Sequence, residues 1–563
     1  MQWRALLRRI LRRRKRGEID PDEIFIDATN LPQFDENQFE GRIERPFAKR
    51  TFFYFGLIVL LIVFLFTGRI FLLQISKGSV YAEISENNRL NHSLIFSNRG
   101  VIYDRNGIQL AWNEKKEEKD FGERIYQVTG GFAHLLGYVG YPLKDSNGFY
   151  YQEDYLGKSG VERELNEELS GTNGLKIVET DALGTVHSES VIRHPQDGDD
   201  VYLTIDSRVS AELYRLIQER SEESGFSGGA GVIMDIQSGE IIALSSFPEY
   251  NPNDLTAGGT EALQGYLGDI RKPFLNRVIS GLYTPGSIVK PFIAIGALEE
   301  GIITPEKEIL STGALRLPNP YFPDQESVFR DWKAHGLVNM REAIAVSSDE
   351  YFYQIGGGYK DQPGLGIENI DKYMRLFGFG SSTNILFAGE AEGTIPTPAW
   401  KAETFGDDVW RVGDTYHTAI GQYGFQVTPL QVVRATAALA NGGVLVTPIL
   451  EHNKKADVHY LSLDPEHVKV AREGMRLSVT TGTAKGLLMP DVMVAAKTGT
   501  AELGTEKAFV NSWVIGFFPY EHPRYAFAII MEHGPVENTI GGLYVMRRLL
   551  EWMSSNAPSY VRE

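Results

Sequence analysis

The chain has 563 residues, 42% of them apolar, a formal net charge of -17 and no cysteine. That length holds two or three domains with a sizeable core, and the composition excludes disordered and collagen-like classes. The acidic balance argues against a nucleic-acid partner, which needs a basic face, and the missing cysteine removes disulfides, thiol nucleophiles and thiolate metal sites.

In chain order, Trp3, Leu6, Leu7, Ile10 and Leu11 fall on one face of a helix, and the other positions up to Arg16 carry eight Lys/Arg. Two readings fit: a helix lying on an anionic cytoplasmic leaflet, and a basic tail that only sets orientation. Residues 17 to 45 are acidic and mostly polar, which predicts a flexible tail. Phe52 to Phe66 is apolar almost throughout, and Ile70 to Leu73 extend it beyond Gly68-Arg69. A run of this length can cross a bilayer. Arg42, Arg45, Lys49 and Arg50 precede it, so the N-terminus is expected in the cytoplasm and the chain beyond the run outside. Gln74-Ile75-Ser76-Lys77 offers no small-residue cleavage site, which predicts an uncleaved single-pass anchor in the cytoplasmic membrane.

Beyond the anchor, Val101-Ile102-Tyr103 and Ile108-Gln109-Leu110-Ala111 flank Asn106-Gly107, a β-hairpin signal. Glu114 to about Gly174 is turn-rich. Val201 to Asp206 reads as a strand ending at a helix N-cap, with the helix over Ser207 to about Glu222. Gly231 to Asp235 and Ile241 to Leu244 form a second hairpin. Near the end, Val492 to Thr500, Ser512 to Phe518 and Tyr525 to Met531 read as strands, and Leu543 to Trp552 as a closing helix. The fold class expected is α+β, one sheet with helices on both faces. The organisation expected is a cytoplasmic tail over residues 1–50, a transmembrane anchor over 51–73, a β-rich pedestal over 74–200 and a catalytic domain over 201–563.

Three segments carry chemistry. Ser287 follows Pro285-Gly286 and opens an apolar helical stretch, so it sits where the helix dipole favours negative charge. Lys290, one turn on, brings an amine to the same face, and a desolvated lysine can serve as a base for a serine. Ser-x-x-Lys alone occurs often by chance. Ser347-Ser348-Asp349 adds a second hydroxyl and a polar partner, although Ser347 taken singly reads as an N-cap. Lys497-Thr498-Gly499-Thr500 falls on a strand. There Lys497 offers a cation for a substrate carboxylate, and Gly499 lets a substrate backbone approach. The three in this order, in an exported chain, match the serine acyl-transferase set.

On these residues the chain resembles the class B penicillin-binding proteins, most of all their elongation branch, the penicillin-binding protein 2 group. The similarity runs from about Gln74 to the C-terminus. It includes Glu86-Asn87-Asn88-Arg89, Arg99 to Ala111, Gly157 to Glu162, Leu203 to Asp206, Tyr283 to Ser287, Arg330-Asp331-Trp332-Lys333, Trp410 to Thr415, Ile420-Gly421-Gln422 and Thr428 to Gln431. Asp349 stands where division-specific relatives usually carry asparagine. The resemblance implies a transpeptidase domain on a pedestal, peptidoglycan stem peptides as substrate and β-lactams as covalent inhibitors. It implies that Ser287 attacks a D-Ala-D-Ala carbonyl, that Lys290 deprotonates it, and that Ser347 passes a proton to the leaving amine. Lys497 and Thr498 would hold the donor carboxylate, and the N–H groups of Ser287 and Thr500 would form the oxyanion hole. Asp349 would orient Ser347 and Lys290, or only cap a helix. A membrane glycosyltransferase of the SEDS family is the implied partner, and no cofactor is called for.

Departures from the family pattern are Tyr423, where relatives usually carry glycine, and a segment between Asn113 and Gly157 that is short for a pedestal. His335 reads as structural, not as a metal ligand, because no cysteine or clustered histidine supports a site. A D,D-carboxypeptidase or β-lactamase with water as acceptor, a division-specific transpeptidase, and a non-catalytic scaffold remain as alternatives.

Overall fold

The computed structural model describes residues 49–81 and 90–562, apart from 118, 128, 147, 181–185, 320, 321, 323, 407, 505 and 506. The basic start up to Arg16, the acidic stretch up to residue 45 and Glu86-Asn87-Asn88-Arg89 lie outside the described residues. The chain divides into two units, residues 1–90 and 91–563. In the first, helix α1 (Lys49–Phe71) continues into one wider turn, Leu72–Ser76. At 1.5 Å per residue α1 is about 35 Å long, enough for the hydrocarbon core of a bilayer. It is apolar all round, with a mean hydropathy of 2.6 over its best window and none of that window buried by the protein.

The second unit begins with small sheets. Strands β1 (Leu90–Ile95), β2 (Ile102–Tyr103), β3 (Gln109–Glu114), β4 (Glu123–Tyr126), β5 (Gly174–Thr180), β6 (Val186–Arg193) and β7 (Val201–Tyr202) form two sheets, ordered β1-β5-β6 and β7-β2-β3-β4. The expected hairpin is β2–β3, turned by the buried Asp104, whose Oδ1 accepts from the N–H groups of Asn106 and Ile108, each at 2.8 Å. The strand expected over Val201 to Asp206 is shorter. It pairs with β2 for two residues, and then Thr204 N–H turns to Leu450 O at 2.8 Å.

This unit is locked by a buried charge triad. Glu162, on the short helix Gly160–Glu164, accepts from Arg99 Nε at 2.6 Å and Arg124 Nε at 2.7 Å, and all three side chains are fully buried. Arg99 also donates to Glu162 O and Ser170 Oγ, and Arg124 to Gly100 O. Two cations and one anion leave a net charge that these dipoles must stabilise.

The rest is built on one five-stranded antiparallel sheet. Helix α2 (Ser207–Ser224), capped by Asp206, leads to β8 (Gly228–Asp235) and β9 (Ile241–Phe247). After helix α3 (Lys290–Glu299) come two nested hairpins, β10 (Ile309–Ser311) with β13 (Gly336–Val338), and β11 (Ala314–Pro318) with β12 (Glu326–Arg330). Next are α4 (Met340–Val346), α5 (Asp349–Gly357), α6 (Val412–Ala419), α7 (Pro429–Ala440), α8 (Pro465–Thr480), β14 (Ala495–Leu503), β15 (Phe509–Phe518), β16 (Tyr525–Pro535) and α9 (Gly542–Asn556). The sheet order is β9-β8-β16-β15-β14, which makes β14 an edge.

Both faces of the sheet are covered, so its central strands carry apolar residues on both faces and not only at alternate positions. Along β16, Ala526, Ala528 and Ile530 join the core containing α3 and α7, while Phe527, Ile529 and Met531 join the core containing α2 and α9. The α+β class and the sheet with helices on both faces hold.

Residues 126–134 meet the sheet domain through hydrogen bonds. Tyr126 exchanges a pair with the Asn253 side chain, Tyr250 donates to Ala133 O, and the His134 ring donates to Pro273 O at 2.8 Å. Glu249 accepts from the N–H groups of Gly131 at 2.7 Å and Ala133 at 3.0 Å.

Replacing Glu162 by alanine strands two buried guanidinium groups, and is expected to cost about 3–5 kcal/mol in urea unfolding. Glu249 gives a pH dependence. Shielding from water pushes its carboxyl from 4.5 up to about 7. Across that window the folded chain keeps a proton that the unfolded chain has released, so this stability is present below 4.5 and lost as pH rises to about 7. Wild type should lose thermal stability relative to Glu249→Gln over that range, and parallel curves would refute the assignment.

Candidate active site

Ser287 lies in the tight 3-10 turn Gly286–Val289 that runs directly into α3, so the helix-start position expected for it holds. The serine is half-buried, while Lys290, at the start of α3, is completely buried. Opposite stands the corner between α4 and α5. A capping box of Asn339 and Glu342 fixes the start of α4. Ser347 then takes a left-handed conformation, φ 61 and ψ 41. The N-cap of α5 is Ser348, not Ser347. A non-glycine residue held there stores strain, which is common where a side chain must be aimed.

The third wall is β14. Its Lys497 Nζ donates to Ser347 Oγ at 2.8 Å and to Thr498 O at 2.7 Å. From the other side Lys290 Nζ reaches Ser347 Oγ at 3.3 Å, Ser347 O at 2.8 Å and Asp349 Oδ1 at 2.6 Å. One hydroxyl therefore lies between two amines, and one carboxylate pairs with the first. Burial, together with the nearby Lys290 charge, holds the Lys497 amine well below the usual lysine range, with Asp349 opposing. Among the described residues Ser287 Oγ makes no hydrogen bond; such bonds often tighten only with substrate bound.

These residues converge on one cleft of about 1000 Å³, lined by Ser287, Ser347, Asp349, Thr498, Gly499 and Thr500 among others. Lys290 and Lys497 sit behind its wall. The cation expected from Lys497 for a carboxylate is thus buried against Ser347, and the cations that do line the cleft are Arg330 and Lys507. Gly499 has a reason beyond the expected one. A Cβ there would meet Pro285 O at 2.9 Å and Ile288 Cγ2 at 2.8 Å, so the glycine lets β14 pass the Ser287 turn itself. Gly421 does the same from the α6 side, where a Cβ would meet Gly286 O at 2.2 Å. Tyr423 takes a glycine-like φ of 65 and is held among the rings of Trp400, Phe405 and Trp410.

Two site residues carry no sequence signal of their own, and a third lies in a family-like motif that assigned it no role. Thr483, after α8, accepts from Thr498 Oγ1 at 2.7 Å, and its N–H donates to Ala345 O at 3.1 Å, tying β14 to the end of α4. His417, on α6, faces the cleft against the rings of Phe329 and Tyr353, and burial lowers its pKa. Asp331 sits in the Arg330-Asp331-Trp332-Lys333 motif with its side chain fully buried. His335 packs edge-on against Trp332 at 5.0 Å, with Nε2 3.6 Å from Asp331 Oδ1.

A buried amine, a hydroxyl relay and a half-open serine at a helix start are the parts of a nucleophilic acyl transfer. The comparisons with known proteins agree. A family model described as the penicillin binding protein transpeptidase domain matches residues 229–546, and one described as the penicillin-binding protein dimerisation domain matches residues 119–203. The peptidoglycan D,D-transpeptidase MrdA of Acinetobacter baumannii is 31% identical over 601 residues, spanning 88% of this chain and 86% of that protein. Among solved structures, the penicillin-binding protein PBP2 in complex with MreC from Helicobacter pylori superposes with a TM-score of 0.69 at 29% identity, covering 82% of this chain and 99% of that one. A chain of a peptidoglycan synthase complex that coordinates polymerization and crosslinking superposes with a TM-score of 0.69 at 26% identity, covering 89% and 97%.

The close approach at Gly499 can be tested directly. Gly499→Ala must push β14 away from the Ser287 turn, and is expected to cost about 1–3 kcal/mol of stability in denaturant unfolding.

Proposed function

The chain belongs to the penicillin-binding protein transpeptidases, and on that premise we propose how its residues work. It is a peptidoglycan D,D-transpeptidase of the elongation type and a target of β-lactams. The observation that carries the assignment of its residues is the Ser347 hydroxyl lying between the Lys290 and Lys497 amines, in the cleft that Ser287 lines.

Ser287 Oγ attacks the carbonyl of the penultimate D-alanine of a donor stem peptide. Lys290, acting as the neutral amine, takes its proton and becomes the ammonium that pairs with Asp349, and the oxyanion is met by the N–H groups of Ser287 and Thr500. The tetrahedral intermediate collapses as D-alanine leaves, its nitrogen taking a proton through Ser347, which the two amines supply. The amine of a second stem peptide then attacks the acyl-enzyme, forms the amide cross-link and returns Ser287 as its alcohol. The donor carboxylate is held by the hydroxyls of Thr498 and Thr500 on the cleft side of β14. Lys497 supports this from behind, through Ser347. Asp349 fixes the Lys290 amine by the 2.6 Å ion pair, which favours an orienting role for it over capping alone.

The same chemistry with water as acceptor is a carboxypeptidase or β-lactamase activity. The similarity to the peptidoglycan D,D-transpeptidase MrdA favours an amine over water as acceptor. We further infer that α1 is the single-pass anchor in the cytoplasmic membrane. Arg42, Arg45, Lys49 and Arg50 keep the N-terminus inside, and the pedestal over 74–200 and catalytic domain over 201–563 lie outside. A SEDS-family glycosyltransferase is the proposed membrane partner, a reading supported by the similarity to a chain of a synthase complex that joins polymerization to crosslinking.

Fluorescent penicillin should label the chain covalently, and Ser287→Ala should not be labelled at all. A labelled Ser287→Ala chain would remove Ser287 from the mechanism. Purified chain supplied with stem peptides should yield cross-linked dimers as the main product; trimmed tetrapeptides alone would favour the carboxypeptidase.

A further inference from the structure

The strained corner at Ser347 must be held by something, since left-handed backbone persists in a non-glycine residue only where its surroundings over-determine it. Lys290 and Thr483 hold it from the cleft side. Behind the corner the only acidic side chain in contact, among the described residues, is Asp331, just after β12. Its Oδ2 accepts from Ser348 Oγ at 2.8 Å, Glu350 N–H at 3.0 Å and Ser311 Oγ at 3.4 Å. Its Oδ1 accepts from Trp332 N–H at 2.8 Å. Glu350 returns the connection, with Oε2 accepting from Thr312 N–H at 2.6 Å and Gly313 N–H at 2.9 Å. The two carboxylates thus cross between the β10–β13 excursion and the first turn of α5, where the helix dipole favours both.

Ser348 and Glu350, the residues Asp331 grips, flank Asp349, and Ser348 also adjoins Ser347. A shift at either moves both groups that organise the Lys290 amine. Asp331 borders the cleft only through its backbone, because its side chain is fully buried. The adjacent His335 adds no counter-charge, since burial lowers its pKa. The carboxylate is met by N–H and O–H groups whose directions fix the turn.

We propose that Asp331 is a positioning residue that holds Ser347 and Asp349 in reacting geometry through Ser348 and the backbone of Glu350. The inference rests on the reading of Ser287 as nucleophile and extends it to a residue outside the three motifs.

The test is acylation of the full-length, detergent-solubilised chain by fluorescent penicillin. Penicillin concentration is varied so that the acylation step separates from initial binding, and rates are expressed per folded molecule. Asp331→Ala is expected to slow the acylation step about 100-fold, the size of an ångström-scale misplacement, with initial binding little changed. Asp331→Asn keeps an acceptor for Ser348 and Glu350 and should restore most of the rate. A folded Asp331→Ala chain that acylates at the wild-type rate, a loss that falls wholly on binding, or an Asn variant as slow as the Ala variant each overturns the proposal. Should Asp331→Ala fail to fold, Ser348→Ala decides. It removes one hydroxyl from the same knot and should slow acylation about tenfold, the scale of one hydrogen bond, and an unchanged rate overturns the proposal. Ser287→Ala runs alongside. If it stays unlabelled while Asp331→Ala reacts normally, only the positioning role fails; if it is labelled, the nucleophile itself is wrong.

Discussion

Two lysine amines share one serine hydroxyl behind the cleft wall, and the rest of the site is arranged so that this can exist. Two ammonium groups this close, both out of water, would repel each other and lose their hydration. The chain resolves this by giving Lys290 the Asp349 carboxylate and leaving Lys497 disfavoured as a cation. A lysine that is easily neutral can accept a proton as well as give one, and Ser347 lies in line to carry it. That requires three separate parts of the chain, the start of α3, the α4–α5 corner and the edge strand β14, to meet within hydrogen-bond distance. Gly421 and Gly499 remove the side chains that would keep those parts apart.

Similar constraints operate away from the site. With no cysteine, nothing covalent ties the N-terminal sheets to the catalytic sheet. Polar knots serve instead along the joint, at Asn253, Tyr250, Glu249 and His134 and where Asp104 Oδ2 accepts from Ser207, while Glu162 between Arg99 and Arg124 braces the N-terminal sheets from within. A buried ion is a weak source of net stability but punishes misplacement severely, so these knots set geometry more than they add strength. The joint carries titratable groups of opposite tendency, Glu249 shifted up to about 7 and His134 shifted down to about 4, both disfavoured in their charged forms.

Much of this could be read from the amino-acid order. The central strands announce themselves as continuous apolar runs, the start of α2 by Asp206, and Ser287 by the proline and glycine before it and the apolar helix after it. Local rules suffice there, because each signal lies within a few residues of the feature it specifies. What could not be read depends on residues far apart in the chain. Nothing near Gly499 says that its neighbour is Pro285, so the sequence does not show that the glycine also makes room for the chain's own Ser287 turn. Nothing near Lys497 says that its amine is buried, so it reads as a cation for a carboxylate. Thr483 has ordinary neighbours and Asp331 sits in a motif that names no role for it, and their parts emerge only when α8 and β12 are brought to the corner at Ser347. At that corner the helix cap that Ser347 taken singly suggests belongs to Ser348, which leaves Ser347 in the strained position.

The shape of the cleft bears on how an acyl-enzyme there would choose between an amine and water. Thr500, Glu502, Arg330 and Trp332 on the rim are exposed, so water is not excluded from the space around Ser287. Selection must then come from holding the acceptor amine in place. A group bound in attacking geometry acts at an effective concentration of roughly 10⁵ M or more, which bulk water does not approach. Such holding needs groups of both signs along the cleft, because a stem peptide presents carboxylates and an amine together. Arg330, Lys507 and Glu502 line it, with Lys507 paired to Glu502. The amines behind Ser347 belong to the proposed proton path, whereas the charges open to an acceptor lie on this mixed rim. The three motifs alone, shared by enzymes that use water, do not specify cross-linking over hydrolysis.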